Sequence, residues 1–155
     1  MKRRGDGTRA KARRRQSPAV KRRKTGSPAS GGLRPIKGAQ HHEMGGVKID
    51  AVAAANGQVK RVVYPPGFRW STHMRPVIGT ELCMHAHVGF LTSGRVKGQY
   101  RDGCKFDFAA PAVVMVEPGH DAWVVGREAA VLIQFDAARE TVQRFGLPAE
   151  HRHSS

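Results

Sequence analysis

Short runs of strand-forming residues, each closed by glycine or proline, recur between residues 58 and 136, and this rhythm constrains the fold most strongly. Several runs alternate apolar and polar side chains, as a half-buried strand does. The firmest breaks are Pro65-Pro66-Gly67, Asp102-Gly103 and Glu117-Pro118-Gly119. Many short strands at this spacing predict an all-β barrel or sandwich. The predicted strands cover residues 58–64, 83–92, 95–101, 104–108, 112–116, 122–125 and 130–135.

The flanking segments carry weaker signals. Residues 47–55 are predicted to form a weak strand or turn, residues 68–73 an extended segment, and residues 74–82 a loop. Residues 137–145 have the spacing of a short helix that stops at Gly146, and residues 148–155 are expected to be frayed. The folded domain is therefore predicted to span residues 44–147.

The first 43 residues differ in composition from the rest of the chain. They hold fourteen of the 27 Lys/Arg and two of the twelve acids, in clusters such as Lys21-Arg22-Arg23-Lys24 separated by Gly, Ser, Pro and Ala. They contain no aromatic residue, so they cannot bury enough apolar surface to offset the entropy of the chain. We predict a disordered basic N-terminal tail over residues 1–43.

Three interpretations of this tail stay open. Its Lys/Arg clusters suit an arm that neutralises nucleic-acid phosphates, and nucleic acid is expected as a partner only through such an arm. The same clusters have the composition of a nuclear localisation signal. The tail is alternatively a mis-assigned start, because Met44 followed by Gly45-Gly46-Val47 is a plausible first residue.

Cysteine usage and hydropathy indicate a cytoplasmic protein. Cys83 and Cys104 are too few for a disulfide-stapled scaffold, and we expect both to be reduced thiols. No apolar run approaches the length of a membrane span, and the N-terminus has no apolar core of a secretory signal. We therefore expect no membrane partner.

The stretch from Cys83 to Gly94 holds the residues most suited to chemistry. Interpreted as a strand, it places Cys83, His85 and His87 on one face, because side chains alternate with period two. Thiolate and imidazole are the usual protein ligands of Zn, Fe, Ni and Cu. His120 lies in a segment that could fold back onto this face.

With these strands assigned, residues 58–136 resemble the cupin superfamily, which has a double-stranded β-helix or jelly-roll barrel of the RmlC-like type. In the first cupin motif a glycine is followed by five residues and a histidine, as Gly67 is followed by His73. Arg75 occupies the second histidine position, and counting back from Gly94 places His87 where the family has glutamate.

The second cupin motif is recognisable in residues 112–123. Gly119 fits the motif, His120 follows it directly, and Ala122 occupies the usual ligand position. The whole pattern resembles small single-domain bacterial cupins with altered metal motifs. The resemblance implies a cupin-like barrel with the disordered tail before it and the short C-terminal helix after it.

The resemblance also implies an inward-facing metal site. His87 would replace the family's glutamate, and His73 would enter from a neighbouring strand. We predict a divalent transition metal (Zn, Fe, Ni or Cu) held by His73, His85, His87 and His120. In the alternative, these histidines are polar lining in a metal-free barrel that binds a small ligand. Three roles are open for Cys83: a metal ligand, a nucleophile beside a histidine base, or a small core residue. We favour the core residue.

These features lead to two functional hypotheses. The first is a metal-binding enzyme that acts on a small organic acid or a sugar-like molecule, and the second is a ligand-sensing module without metal. Pocket walls are expected from Trp70, Trp123 and Phe90, and anion recognition from Arg69, Arg75 and Arg95. A homodimer through edge strands is expected, because the barrel leaves edges to cover.

Overall fold

The computed structural model describes residues 33–137 and 141–152. These residues form strands joined by tight turns, with two short helices before the fourth strand and one near the C-terminus. The strands are β1 (Gln40–Met44), β2 (Val47–Ala54), β3 (Gly57–Tyr64), β4 (His87–Ser93), β5 (Arg95–Tyr100), β6 (Lys105–Ala109), β7 (Ala112–Val116), β8 (His120–Val124) and β9 (Ala130–Ala137). The helices are α1 (Trp70–His73), α2 (Arg75–Ile78) and α3 (Thr141–Arg144).

The strands build two antiparallel sheets. One has the order β1-β2-β3-β9-β4-β7 and the other the order β6-β5-β8. From β4 onward the chain crosses between the sheets at almost every connection, which is the pattern of a jelly roll. The predicted all-β jelly-roll barrel is confirmed.

The core lies between the inner faces of the two sheets. Leu91, Val114 and Leu132 contribute from adjacent strands of the larger sheet and are at most 6% exposed. Val124 faces them from the smaller sheet, and Phe68 from the loop before α1. The inner side chains alternate with outward-facing ones, so the period-two pattern of the strands is what places the core.

The structure differs from the sequence prediction around Cys83. Residues 84–86 are not in a strand, and β4 begins only at His87. Cys83 instead forms an isolated bridge with His120, in which the Cys83 amide donates to the His120 carbonyl at 2.8 Å. Cys83 and His87 are still close together. The backbone bridge between Cys83 and His120 fixes the position of Cys83, and strand alternation does not.

The structure also differs from the prediction before this bridge, where it forms two short helices instead of an extended segment and a loop. Residues 70–73 form α1 and residues 75–78 form α2. Asp121 stabilises the first turn, because its carboxylate accepts hydrogen bonds from the Ser71 amide at 3.1 Å and the Ser71 hydroxyl at 3.0 Å. Local composition cannot predict a turn held by a residue fifty positions away.

The predicted boundaries of the domain differ at both ends. The predicted tail lies mostly outside the described residues, but residues 40–43 belong to β1, which pairs with β2, so a boundary at Met44 falls inside a strand. At the other end, where residues 148–155 were expected to be frayed, the His151 ring stacks on Tyr100 with centroids 3.8 Å apart. Residues 138–140 of the predicted helix and residues 153–155 lie outside the described residues.

In the part of the chain that the structure describes, helices are too short to cross a membrane.

Candidate metal centre

A cavity of about 310 Å³ lies inside the barrel, between the two sheets. Aliphatic and aromatic side chains form most of its wall, and α1 and α2 contribute to it as well as the strands. The polar or titratable side chains that line it are Lys60, Tyr64, Trp70, His85, His87, His120 and Gln134.

Three potential metal ligands lie close together, Cys83, His87 and His120, and the two histidines line the cavity. Their donor atoms all lie within 4.8 Å of one another, and Cys83 Sγ is 3.5 Å from His87 Nε2. His87 opens β4, His120 opens β8, and Cys83 is bridged to His120, so backbone pairing fixes the three positions. Cys83 and His120 are each only 2% exposed.

Both histidines have one ring nitrogen bound to a protein acceptor. His87 Nδ1–H donates to Gln134 Oε1 at 2.9 Å, and His120 Nδ1–H donates to the Glu117 carbonyl at 2.6 Å. In each ring the lone pair is therefore left on Nε2. Metal-binding histidines almost always have this arrangement, because the second hydrogen bond fixes the tautomer and the ring orientation.

Burial keeps the three groups uncharged at neutral pH. It lowers the pKa of His87 to about 3, with His120 and His85 adding to the effect. Burial also lowers the pKa of His120 to about 4, although the hydrogen bond to Glu117 opposes it. The same cause raises the pKa of the Cys83 thiol to about 12. Without a metal, a reactive thiolate is therefore disfavoured.

A polar network behind His87 holds the ring in place. Gln134, which is 2% exposed, accepts from His87 and donates its amide N–H to Asp136 Oδ1 at 2.6 Å. Lys60 forms an ion pair with the same carboxylate, and His85 Nε2 lies 3.1 Å from it. Burial raises the pKa of Asp136, but the hydrogen bonds from His85, Lys60 and Gln134 outweigh it, and the pKa is well below its usual range.

The donor set fits a divalent transition metal. Two neutral imidazoles and one thiol that can become a thiolate are the ligands that Zn, Fe, Ni and Cu accept, whereas Mg and Ca prefer oxygen. Three protein ligands leave a coordination position for water or substrate, as in catalytic zinc sites. His87 and His120 also line the cavity, so such a position would lie beside it.

The structure brings together only part of the predicted ligand set. His87 and His120 are in the cluster, while His85 lines the same cavity but has its Nε2 directed to Gln134 and Asp136. His73 is at the end of α1, where its Nδ1 lies 3.0 Å from the Arg69 carbonyl oxygen, and it is not grouped with the others. Cys83, favoured as a core residue, completes the cluster.

The other expected pocket residues are divided between the cavity and the surface. Trp70 lines the cavity. Trp123 instead lies under the Arg69 guanidinium, 4.8 Å from its ring centre, and Phe90 is 46% exposed on the outer face. Arg69 pairs with Asp121 and Arg95 with Asp107, so two of the three arginines proposed for anion recognition have carboxylate partners. Arg75 is exposed on α2.

Comparisons with known proteins found similarity at the level of structure. No protein-family model matches the sequence, and a search of curated proteins found no match. A solved cupin 2 conserved barrel domain protein from Salinispora arenicola is 19% identical with a TM-score of 0.48, over 74% of this chain and 94% of that one.

Two further solved structures are similar at the same level. A cupin-like protein from Thermotoga maritima is 21% identical with a TM-score of 0.43, over 59% of this chain and 68% of that one. An RmlC-like cupin from Shewanella frigidimarina is 17% identical with a TM-score of 0.45, over 66% and 87%. These similarities concern the fold alone.

Proposed function

We propose that this cupin-like protein is a metal-dependent enzyme that acts on a small organic molecule bound in the barrel. The observation that carries the proposal is the pairing of His87 and His120. His120 is buried and His87 is half-buried, each ring is bonded through Nδ1 to a protein oxygen, and Cys83 Sγ lies within 4.8 Å of a ring nitrogen of each.

The roles of the residues follow from their positions. Cys83, His87 and His120 would bind the metal, and Gln134 would orient His87. Asp136 and Lys60 would hold Gln134 in turn, while the aliphatic wall would exclude water. A metal bound there would supply Lewis-acid activation of a substrate oxygen or of a water molecule.

A second candidate is a ligand-binding module without metal, and one observation favours it. The Cys83 thiol and the His87 imidazole already form a neutral pair at 3.5 Å, so both are satisfied without an ion. The cavity beside His87 is formed by the protein alone, so it does not require a metal. In this alternative the protein binds a small molecule and responds to it without transforming it.

Metal content separates the two candidates. Purified full-length protein without a histidine tag would be measured by elemental mass spectrometry, and its Zn affinity by calorimetry. We expect near-stoichiometric metal in the wild type and more than about a 100-fold loss of affinity in Cys83→Ser, His87→Ala and His120→Ala.

His73→Ala is the matched control, because it removes a histidine that the motif predicted as a ligand but that lies outside the cluster. It should retain wild-type affinity. A folded wild-type protein that takes up no metal after reconstitution would contradict the enzyme proposal and leave the ligand-binding module.

A further inference from the structure

The Tyr64 hydroxyl is a polar group of the cavity that the folded chain does not engage. Tyr64 lies on the inner face of β3, where Lys60, Val62 and Tyr64 alternate with outward-facing residues and all three line the cavity. Within residues 33–137 and 141–152 the hydroxyl makes no hydrogen bond, yet it is not one of the fully buried polar atoms that lack a partner. It therefore keeps accessible surface, and because the side chain faces inward, that surface belongs to the cavity.

Other hydrogen-bond donors of the lining are less available. Trp70 also lines the cavity, but its Nε1 has no accessible surface and cannot reach a ligand there. His87 and His120 each donate through Nδ1 to a protein oxygen, which leaves an acceptor on Nε2. The amide of Gln134 already donates to Asp136 Oδ1 at 2.6 Å. A ligand that brings an acceptor into the cavity therefore meets few unused donors.

The Tyr64 hydroxyl lies near the candidate metal centre and is a donor at neutral pH. Burial raises the pKa of Tyr64 above its usual value, and the neighbouring Cys83 and Asp136 raise it further. The phenol therefore stays protonated, and its O–H can be donated. The ring packs against Phe68 with centroids 4.9 Å apart, so the hydroxyl is presented from an anchored ring.

Most of the cavity wall is apolar, which argues against a sugar-like ligand. The lining is largely aliphatic or aromatic and includes Val62, Leu91, Phe106 and Leu132. Most hydroxyls of a sugar would lose their hydrogen bonds to water against such side chains and gain few in return. The volume of about 310 Å³ equals about ten waters, so the ligand has roughly ten non-hydrogen atoms.

The charges at the wall argue against an anionic ligand in the metal-free protein. Among the described residues that line the cavity, Lys60 is the one lysine or arginine, and it is paired with Asp136. His85 lies against the same carboxylate, and His87 and His120 are neutral. An organic anion would therefore find no unpaired countercharge.

We propose that the cavity binds an uncharged, mainly apolar molecule of this size through one hydrogen-bond acceptor, such as a ketone or ester carbonyl, and that the Tyr64 hydroxyl donates to it. This replaces the small organic acid or sugar-like molecule expected from the sequence. The inference rests on the proposed function for the choice of this cavity as the binding site, but it does not depend on the metal.

Two nearly isosteric probes test the acceptor. Acetophenone carries a carbonyl where α-methylstyrene carries a methylene group, and both have the required size. Calorimetry on the full-length, metal-free protein should give a Kd for acetophenone about three- to tenfold lower than for α-methylstyrene. In Tyr64→Phe this preference should disappear or reverse, because the carbonyl would be desolvated without a partner. An unchanged Kd for α-methylstyrene in Tyr64→Phe shows that the cavity is intact.

Tyr100→Phe is the matched control, because the Tyr100 hydroxyl accepts from the Glu117 amide at 3.1 Å and Tyr100 is not part of the cavity lining. It should keep the wild-type preference for acetophenone. Benzoate and glucose test the class of ligand, and both should bind at least about tenfold more weakly than acetophenone.

Several results would overturn the proposal: failure of both apolar probes to bind, no preference for acetophenone in the wild type, a preference that survives in Tyr64→Phe, or tighter binding of benzoate or glucose. The wild-type preference decides the question even where Tyr64→Phe does not fold. Zn affinity is measured separately. A protein that binds acetophenone as expected but takes up no metal would contradict the enzyme proposal and leave this inference standing.

Discussion

At the scale of single residues, the candidate centre is a neutral thiol facing a neutral imidazole. Cys83 Sγ lies 3.5 Å from His87 Nε2, and burial holds the proton on sulfur by raising the pKa of the thiol to about 12. A metal bound here would take the place of that proton, because only the thiolate is a good ligand. Metal binding and proton release are therefore coupled at this site.

The coupling predicts how many protons leave on metal binding. At pH 7 the Cys83 thiol is protonated, while His87 and His120, with pKa values of about 3 and 4, are already neutral and have no proton to release from Nε2. Zn binding to the wild type should release about one more proton than binding to Cys83→Ser. Calorimetry in buffers of different ionisation enthalpy measures this number. Equal proton release by the two proteins would show that Cys83 is not a ligand.

Gln134 is expected to act as a positioning residue for His87. Gln134→Leu removes the acceptor that fixes the His87 tautomer, and Zn affinity should fall about 10- to 100-fold while the protein stays folded. The same substitution at Gln99, which is exposed on β5, is the matched control and should leave affinity unchanged. Metal competition assays together with circular dichroism measure both effects. Unchanged Zn affinity in folded Gln134→Leu would contradict this role.

At the scale of elements, the strands were predictable and their junctions were not. The sequence predicted β3, β5 and β7 nearly to the residue, because alternation and the following breakers are local signals. It missed α1, which Asp121 stabilises from β8, and β1, whose residues are mostly exposed and are held by pairing with β2. Contacts between distant segments leave little trace in local composition.

In the candidate site, too, some positions follow from local sequence and others depend on contacts between distant segments. His87 and His120 were predictable, since both lie at the start of strands next to recognisable motifs. Cys83 joins this cluster through its bridge to His120, which local sequence cannot show, and His73 lies outside it because α1 forms where the motif implied a strand. The spacing of Cys83 and His87 in the sequence was the available signal for this cluster.

Strand β5 offers a test of how closely the smaller sheet is packed. A Cβ atom at Gly98 would lie 2.0 Å from Phe106 Cζ and 2.6 Å from the Asp121 carbonyl oxygen. Gly98→Ala should therefore lower the free energy of unfolding by about 2–3 kcal/mol. Gln99→Ala, at the next and exposed position, should change it by less than about 0.5 kcal/mol. Urea denaturation compares the two, and equal stabilities would contradict the packing described for this sheet.

At the scale of the whole molecule, the outer face of the larger sheet is apolar where it meets the edge strand β7. Phe90 on β4 is paired with Val113 on β7, and Met115 and Phe135 lie nearby; all four are at least 46% exposed. In the described part of the chain, β7 pairs with β4 alone. An apolar edge of this kind favours self-association.

The homodimer expected from the sequence stays a prediction, and this edge is where we expect it to form. Light scattering should give about twice the chain mass of 16.9 kDa for the wild type and a single chain mass for Val113→Lys combined with Met115→Lys. Val77→Lys, an exposed position on α2, is the control and should remain dimeric. A monomeric wild type at micromolar concentration would contradict the prediction.

The most direct test of the central claim is the absorption spectrum of the protein loaded with Co²⁺, because it reports on the ligands themselves. A tetrahedral site with one thiolate and two imidazoles predicts intense visible bands and a sulfur-to-cobalt charge-transfer band in the near ultraviolet. The charge-transfer band should disappear in Cys83→Ser and persist in His73→Ala. Weak bands of six-coordinate cobalt without charge transfer, or no cobalt binding by the folded wild type, would contradict a metal centre at Cys83, His87 and His120.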